Sequence, residues 1–446
     1  MSDIRVRFAP SPTGKVHIGN IRAAIYNWLY ARHTGGKFLL RVEDTDLERS
    51  TPEAIEVLME SMKWLGLDWD EEVFYQTKNL KRHLECVERL LESGRAYKVE
   101  KTSRDGRTGV VTMFRMPKEG VIEFDDVVKG HMAKKAEDVQ DFAIVRSDGS
   151  PIFHIANVVD DIDQGVTHVI RGDDHVENTF KHIEIFRALG AKVPQYAHLS
   201  MIVNQQGKPY SKRDGAAFVG EFREQGYLPE ALFNYLLLLG WNPGDDREVL
   251  TREEMVELFD LPKVHVTAAK FDLRKLQWMN GEYIKRIPAH DFAEEVKRRV
   301  APLCGEAAPG DARDDAWWAY LASQLQPRTK FLDDIPAMAR CLVSDDYPFD
   351  EKAVEKRLRK PGVKGLLLGL VEKFSAVPDW NAPALEAVVK GLSGEGGMGP
   401  WVHPVRVACS GRGEGIGLFE MLQLLGREKT LGRLRHAAET ICNDDI

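Results

Sequence analysis

Cysteine is scarce: the 446 residues contain five, and no two of them approach Cys-x-x-Cys spacing. The sequence therefore gives no support for a zinc site or a disulfide framework, and we expect reduced thiols. No apolar run approaches the roughly 20 residues of a membrane span. The opening Met-Ser-Asp-Ile-Arg-Val leads directly into a strand pattern, unlike a signal peptide. We therefore expect a cytoplasmic protein with no membrane partner.

An excess of basic residues is also absent. The chain carries 61 Lys and Arg against 69 Asp and Glu, a formal net charge of −8. If such a chain binds RNA, basic residues must be gathered on one face, because affinity follows local phosphate neutralisation. The hydrophobic fraction of 43% and charged fraction of 29% are typical of a globular protein. The length predicts about three domains.

The most informative stretch lies at the start of the chain. Residues 6–9 place the basic Arg7 between apolar neighbours, as in a half-buried strand, and a loop rich in proline and glycine follows. Apolar residues recur at helical spacing from Asn20 until Gly35, and residues 38–42 predict a second strand. These elements predict a βαβ unit with its ligand site at the strand carboxyl ends, beside the helix amino terminus. Free N–H groups there attract phosphate, and the acid-rich segment 43–46 can meet a cationic group.

Later strands deliver charged residues in the same way. We expect the sheet to resume over residues 151–161 and to continue with a strand over 167–171, which places Arg171 at its carboxyl end. Residues 201–204 predict a further strand. The polar loop 205–215 that follows is suited to closing over a polyphosphate.

The predicted fold class is α/β. A Rossmann-type parallel-sheet domain is expected from residues 1–95 and 150–215, interrupted by a shortened insertion at 96–149 with several strand-like runs. Helical periodicity dominates the remainder. We divide that remainder into residues 216–310 and an all-helical region at 311–446.

Several motifs resemble those of one enzyme family. Ser-Pro-Thr-Gly at 11–14 with His-Ile-Gly-Asn at 17–20 is similar to the first signature of class I aminoacyl-tRNA synthetases, His-Ile-Gly-His. The flanking segments 7–14 and 41–46 are similar to the glutamyl branch of that family. Tyr-Ser-Lys-Arg at 210–213 resembles the second signature, whose glutamyl form is Lys-Leu-Ser-Lys-Arg. The resemblance covers nearly the whole chain and is closest up to about residue 285.

The resemblance implies an ATP-dependent ligase. Such an enzyme activates L-glutamate as an adenylate and transfers it to the 3′ end of tRNA(Glu), and in some members of tRNA(Gln). Magnesium is expected only bound with ATP, without protein metal ligands, and no zinc is expected because the insertion has no cysteine. In the family the insertion holds the tRNA acceptor end, residues 216–310 correspond to a stem-contact region, and the helical region 311–446 binds the anticodon. We expect a monomer.

Site residues follow by matching the family's motifs position by position. The expected catalytic residues, which contact the ATP phosphates, are His17, Asn20 and Lys212. The expected ATP-binding residues are Pro10, Ser11, Thr13, Gly14, His17, Gly19, Asn20, Asp174, Lys208, Ser211, Lys212 and Arg213. The expected glutamate-binding residues are Arg7, Ala9, Ser11, Glu43, Phe153, Asn157 and Arg171. The residues expected at the tRNA acceptor end are Asp46 and Arg49.

Two departures from the family pattern affect these expectations. Phe153 stands where the family usually has a tyrosine whose hydroxyl helps to bind the substrate side chain. Pro209 stands where the second signature has its first lysine, with Lys208 one residue earlier. Asp160 and Asp161 are expected to be structural.

Two alternatives stay open on sequence alone. A glutaminyl-tRNA synthetase has a similar core but a β-rich anticodon domain, whereas residues 317–439 show helical periodicity. A non-catalytic paralogue that binds RNA or nucleotide is the other, although the presence of His17 and Lys212 argues against it.

Overall fold

A computed structural model describes residues 3–12, 14–46, 50–102, 108–304, 313–393 and 397–443. The chain forms two compact units, Met1–Met279 and Asn280–Ile446. None of the helices in the described ranges is both long and apolar enough to cross a membrane.

The chain opens with the βαβ unit predicted from the sequence. Strands β1 (Arg5–Phe8) and β2 (Lys37–Val42) pair in parallel and are joined by helix α1 (Ile18–Thr34). Helix α1 ends at Gly35, whose left-handed φ of 65° suits a residue without a Cβ. Helix α2 (Pro52–Trp64) follows β2, and β3 (Phe74–Tyr75) extends the sheet on the other side of β2.

The insertion is built from antiparallel strands. After α3 (Leu80–Glu92) come β4 (Ala96–Thr102), β5 (Thr108–Phe114), β6 (Val121–Asp126), β7 (Gly130–Lys135) and β8 (Phe142–Val145). Strands β4, β5 and β8 form one sheet, and β6 and β7 form a hairpin. The strand-like runs seen in the sequence are confirmed as β5, β6 and β8. The polar strands β4 and β7 were not predicted, because their side chains lack a continuous apolar face.

The second half of the sheet follows the insertion. Its elements are α4 (Phe153–Asp163), β9 (His168–Gly172), α5 (Val176–Ala188) and β10 (Gln195–Leu199). Strand β10 lies between β6 and β9 and is parallel to both. The Thr167 N–H donates to the Arg5 carbonyl over 2.9 Å, which brings β9 beside β1. The carboxyl ends of β1 and β9 therefore meet at one edge of the sheet, and helices α1 and α5 begin after these strand ends.

One element was predicted wrongly. Residues 151–161 were expected to resume the sheet, but most of them form α4, and only Pro151 makes an isolated bridge, to Val145. A short apolar run rich in β-branched residues cannot be assigned to strand or helix by its periodicity alone. In the structure Val158 and Val159 are both completely buried, so the run is apolar because the helix lies in the interior.

One hydrophobic core joins the insertion to this half of the sheet. Phe114 and Ile122 of the insertion belong to the same buried cluster as Ile155, Val169 and Phe186. The insertion therefore packs as part of the first unit, a point that matters for the site below.

The remaining strands and helices of the first unit are β11 (Ile202–Val203), α6 (Val219–Glu224), α7 (Pro229–Leu238), α8 (Arg252–Leu258), β12 (Ala269–Lys270) and α9 (Leu273–Lys285), which crosses into the second unit. Strands β11 and β12 form a parallel pair of their own. The second unit contains α10 (Ala289–Val300), α11 (Asp315–Leu325), α12 (Ile335–Val343), α13 (Glu351–Arg357), α14 (Val363–Ser375), α15 (Ala382–Ser393), α16 (Gly399–Ser410), α17 (Leu418–Leu425) and α18 (Arg427–Thr440). Within the described ranges no strand follows β12, which confirms the predicted all-helical carboxyl-terminal region.

Candidate active site

A cavity of about 650 Å³ opens at the carboxyl ends of β1 and β9, beside the start of α1. All seven residues expected to bind glutamate line it: Arg7, Ala9, Ser11, Glu43, Phe153, Asn157 and Arg171. Half of the residues expected to bind ATP line it as well: Pro10, Ser11, His17, Gly19, Asn20 and Asp174. The structure thus brings two of the three expected catalytic residues, His17 and Asn20, together with the expected amino-acid pocket.

The other expected ATP-binding residues that the structure describes do not line this cavity: Gly14, Lys208, Ser211, Lys212 and Arg213. Thr13 and Arg49 lie outside the described residues, and Asp46 is likewise not part of the cavity wall. The expected ATP-binding positions outside the cavity wall belong to the same two loops as Ser11 and Tyr210, which do line the cavity.

Lys212 lies outside the cavity wall, although Pro209 and Tyr210 of the same loop line the cavity. The Lys212 ammonium lies 3.8 Å from the Glu221 carboxylate and 5.4 Å from the centre of the Phe218 ring. Asp214 fixes the turn, because its Oδ2 accepts from the N–H of Ser211 over 2.9 Å and its Oδ1 accepts from the Asn204 amide over 2.8 Å. In this conformation Lys212 is 61% exposed.

His17 caps the helix that points at the cavity. Its Nδ1 accepts from the Gly19 N–H over 3.1 Å, so the neutral ring carries its proton on Nε2. Burial lowers the pKa of the His17 imidazole below its ordinary value. The ring is therefore a neutral hydrogen-bond donor at the amino terminus of α1, where anions are favoured.

A buried network of charges positions Arg7 and Glu43. Asp161 accepts from Arg7 Nε over 3.1 Å and from Arg41 Nη1 over 2.6 Å. Arg41 Nη2 and the Asn157 amide both donate to Oε1 of Glu43, over 3.3 and 2.8 Å. Burial acts to raise the pKa of Asp161, but the guanidinium groups of Arg7 and Arg41 outweigh it and hold that pKa below its usual value. The two arginines and two acids balance in charge.

Glu43 lies at the cavity side of this network. Burial raises the pKa of its carboxyl, while Arg41 and the amide of Asn157 act in the opposite direction. The ammonium group of a ligand would also lower the pKa of Glu43 and stabilise its ionised carboxylate. The geometry therefore suits recognition of a cationic group by Glu43.

Arg41 and Asp161 support the cavity residues Arg7 and Glu43, and the sequence-based prediction missed the first and set the second aside. Arg41 is completely buried and bonds to both Asp161 and Glu43. The available signal was a charged residue inside the otherwise apolar strand segment 38–42. Asp161 was expected to be structural, and in the structure it holds Arg7, a residue of the cavity wall, together with Arg41. Asp160 has the same kind of role deeper in the fold, accepting from Gln76 over 2.7 Å.

Arg171 differs from Arg7 in its partners. Its Nη2 donates to Thr179 Oγ1 over 2.7 Å and to the His175 carbonyl over 3.3 Å, and its Nε donates to His198 Nε2 over 3.3 Å. These acceptors are all neutral. No carboxylate of the described chain is within ion-pair distance of Arg171, although the side chain is only 8% exposed. A buried guanidinium of this kind is ready to receive an anionic ligand.

Phe153 forms an aromatic wall of the cavity. Its ring centre lies 5.5 Å from those of His154 and His182 and 5.8 Å from that of His175. Burial lowers the pKa of all three imidazoles, so the wall is uncharged. The described residues contain no group of three His, Cys, Asp or Glu side chains that could hold a metal ion.

The cavity lies at the carboxyl ends of parallel strands, beside the glycine-containing start of α1, which is the usual place of a nucleotide site in such folds. The family described as tRNA synthetases class I (E and Q), catalytic domain, matches residues 3–108 and 98–278. The family described as anticodon binding domain matches residues 291–438. Together the matches cover most of the chain.

Whole-length relatives narrow this assignment. The chain is 40% identical to a glutamate–tRNA ligase of Francisella philomiragia, with 99% of this chain and 100% of the relative covered. It is 41% identical to glutamate–tRNA ligase 1 of Acidithiobacillus ferrooxidans, with 98% and 100% covered. A glutamate–tRNA ligase from Elizabethkingia meningosepticum, solved with its amino acid, superposes with a TM-score of 0.88 at 29% identity, covering 99% and 100%. The chain belongs to the glutamate–tRNA ligase family.

Proposed function

We propose that the chain attaches L-glutamate to tRNA in two steps. In the first step an oxygen of the glutamate α-carboxylate attacks the α-phosphorus of ATP, and diphosphate leaves. In the second step the 3′-terminal hydroxyl of the tRNA attacks the carbonyl carbon of the adenylate, and AMP leaves. Such chemistry needs positioning and charge stabilisation more than a protein nucleophile. The observation that carries the proposal is one cavity that brings Arg7, Arg171 and Glu43 together with the amino terminus of α1.

The cavity complements the charges of glutamate. The substrate brings two carboxylates, for which Arg171 and Arg7 are the cationic partners, and one ammonium, for which Glu43 is the acceptor. Because no carboxylate among the described residues pairs with Arg171, a substrate carboxylate placed there gains a charge-assisted bond that the neutral amide of glutamine cannot match. This difference favours glutamate over glutamine.

ATP is expected along the start of α1. His17 and Asn20 face the cavity there, and the N–H groups of the first helical turn attract phosphate oxygens. We propose that the loop carrying Lys212 moves when ATP binds, so that the ammonium leaves Glu221 for the phosphates. Magnesium bound to ATP would neutralise phosphate charge, and the oxygen-rich phosphates rather than a protein cluster would hold it.

The second unit supplies a candidate tRNA-binding surface. A cavity of about 1080 Å³ is lined by more basic than acidic side chains. The basic ones are Arg328, Lys330, Arg340, Arg406 and Arg412, and the acidic ones are Asp333, Asp350 and Glu414. Residues 352–364 are the most basic run of the helical region, but none of them lines this cavity, and Arg359 in that run is paired with Glu351 and Glu355. We therefore propose that the cavity, not that run, contacts the anticodon arm. We also propose that residues 96–149 contact the acceptor end of the tRNA and that residues 216–310 contact its stem.

The direct test is charging of purified tRNA(Glu) and tRNA(Gln) with labelled glutamate, with labelled glutamine as the control amino acid. We expect glutamate to be attached to tRNA(Glu), and no glutamine to be attached to either tRNA. Glutamate on tRNA(Gln) as well would identify a non-discriminating member of the family. Attachment of glutamine, or no attachment of glutamate to either tRNA, would contradict the proposal.

Replacing Phe153 with tyrosine should improve glutamate binding. The new hydroxyl enters a wall that faces the substrate side chain, and one hydrogen bond is worth about 1 kcal/mol. We expect the KM for glutamate in the charging assay to fall about fivefold, with the KM for ATP unchanged. F153L adds no hydroxyl and should not lower the KM. A KM that is unchanged or higher in F153Y would show that the hydroxyl finds no place at the substrate.

A further inference from the structure

The orientation of Arg171 depends on an unprotonated nitrogen of His198. Arg171 Nε–H donates to His198 Nε2 over 3.3 Å, and that same nitrogen lies 3.0 Å from Thr179 Oγ1. For Nε2 to accept, the ring must carry its proton on Nδ1. If the proton moved to Nε2, two N–H groups would face each other and Arg171 would lose one of its three acceptors.

Asp126 holds His198 in this tautomer. The Nδ1–H of His198 donates to Oδ2 of Asp126 over 2.6 Å, and both side chains are fully buried. The His198 backbone N–H also donates to the same carboxylate, over 3.1 Å. Burial lowers the pKa of His198 against the opposing effect of Asp126, which keeps the ring neutral. The result is a chain of carboxylate, imidazole and guanidinium that ends in the cavity.

Asp126 belongs to the insertion and not to the strands that carry the amino-acid pocket. It is the last residue of β6, and its Oδ1 accepts from the N–H groups of Val128 and Lys129 in the β6–β7 turn, over 3.0 and 2.9 Å. Lys129 in turn donates to Asp173, two residues after Arg171, over 3.2 Å. The hairpin turn and the strand end at Arg171 are therefore connected by two separate polar contacts.

We propose that Asp126 and His198 are positioning residues for Arg171, and that through them the β6–β7 hairpin of the insertion sets the affinity of the cavity for the substrate carboxylate. This inference rests on the proposed function, in which Arg171 receives a carboxylate of glutamate. A change in the hairpin would reach the amino-acid pocket through the Asp126–His198 contact without touching the ATP-binding end at His17.

The test uses Asp126→Asn in the full chain. The asparagine Oδ1 can keep both turn N–H groups, but its amide donates where the carboxylate accepted, which favours the wrong tautomer of His198. We expect the KM for glutamate to rise about tenfold or more, since a buried donor is left without its acceptor, with the KM for ATP changed less than twofold. Asp125→Asn is the matched control, because Asp125 is the neighbouring residue and its side chain is 89% exposed. It should leave the KM for glutamate unchanged.

Two further readouts separate positioning from a general loss of structure. His198→Gln keeps an acceptor near Arg171 but has no tautomers. Adding D126N to H198Q should therefore raise the KM for glutamate little, whereas D126N alone should raise it about tenfold or more. Long-range ¹H–¹⁵N spectra of the imidazoles should show the Nδ1–H form at His198 in the wild type and the Nε2–H form in D126N.

The outcomes distinguish this inference from the proposed function. If the wild type attaches no glutamate to tRNA, the proposed function fails and this inference fails with it. If the wild type attaches glutamate and folded D126N has the same KM for glutamate as D125N, only this inference is overturned. If D126N raised the KM for glutamate by the same factor in the wild-type and H198Q backgrounds, this inference would also be overturned, because the effect would then not pass through His198.

Discussion

Replacing Lys212 with alanine is expected to lower kcat for tRNA charging by about 100- to 1,000-fold, the usual effect of removing one group that stabilises transition-state charge. The substitution removes the ammonium that is proposed to leave Glu221 and bind the ATP phosphates. The KM for glutamate should change little, because Lys212 lies outside the cavity that holds the amino-acid pocket. Steady-state charging at saturating ATP measures the effect.

Lys15 provides a matched control for this prediction. It lies 3.4 Å from the same Glu221 carboxylate and 5.7 Å from the centre of the same Phe218 ring, and its side chain is 60% exposed, against 61% for Lys212. Lys15→Ala should therefore retain kcat within about threefold, as expected for an exposed lysine whose ion pair contributes little. Equal losses in K15A and K212A would indicate that the cluster around Glu221 matters and that Lys212 has no special role at the phosphates.

Replacing Arg41 with methionine is expected to destabilise the protein by about 3–5 kcal/mol. Methionine fits the volume of the side chain but leaves the buried acids Asp161 and Glu43 without their shared cation. Both acids would then be penalised by burial, and Arg7 would be the remaining cation next to Asp161. Urea unfolding of the full chain, followed by circular dichroism, should show the loss as a lower midpoint.

Arg247 is the control for Arg41. It is also paired with two acids, Asp245 and Glu254, but its side chain is 48% exposed. Arg247→Met should cost less than about 1 kcal/mol, as is usual for surface ion pairs. If R41M unfolded at the same urea concentration as the wild type, the buried network would not contribute to stability and Glu43 would have to be positioned by Asn157 alone.

The sequence was sufficient to predict the parts of the site that depend on local order. Residues at strand ends, such as Arg7, Glu43 and Arg171, were expected at one edge of a parallel sheet, and the structure places them in one cavity. This works because the carboxyl ends of parallel strands must meet there once the crossovers are right-handed. The helical second unit was predictable for a similar reason, since its apolar periodicity is long and uniform.

What could not be predicted depends on contacts between distant segments. Asp126 and His198 lie 72 residues apart along the chain, and nothing near either residue indicates the other. The same is true of Arg41 and Asp161, which lie 120 residues apart along the chain. The strand expected at 151–161 was wrong because burial on all sides removes the periodicity that separates a helix from a strand. The position of Lys212 beside Glu221 was not predicted either, because the contacts of its own loop set it.

The central claim is tested most directly by calorimetric measurement of the affinity for a stable analogue of glutamyl adenylate. The analogue carries a sulfamate in place of the phosphate. The cavity is proposed to hold both the amino acid and the nucleotide, so the analogue should bind one to one and at least about 100-fold more tightly than glutamate alone. Arg171→Gln should weaken binding of the glutamyl analogue at least about tenfold, and the matching glutaminyl analogue should bind the wild type at least about tenfold more weakly. Equal binding of the two analogues, together with no effect of R171Q, would show that this cavity does not recognise glutamate.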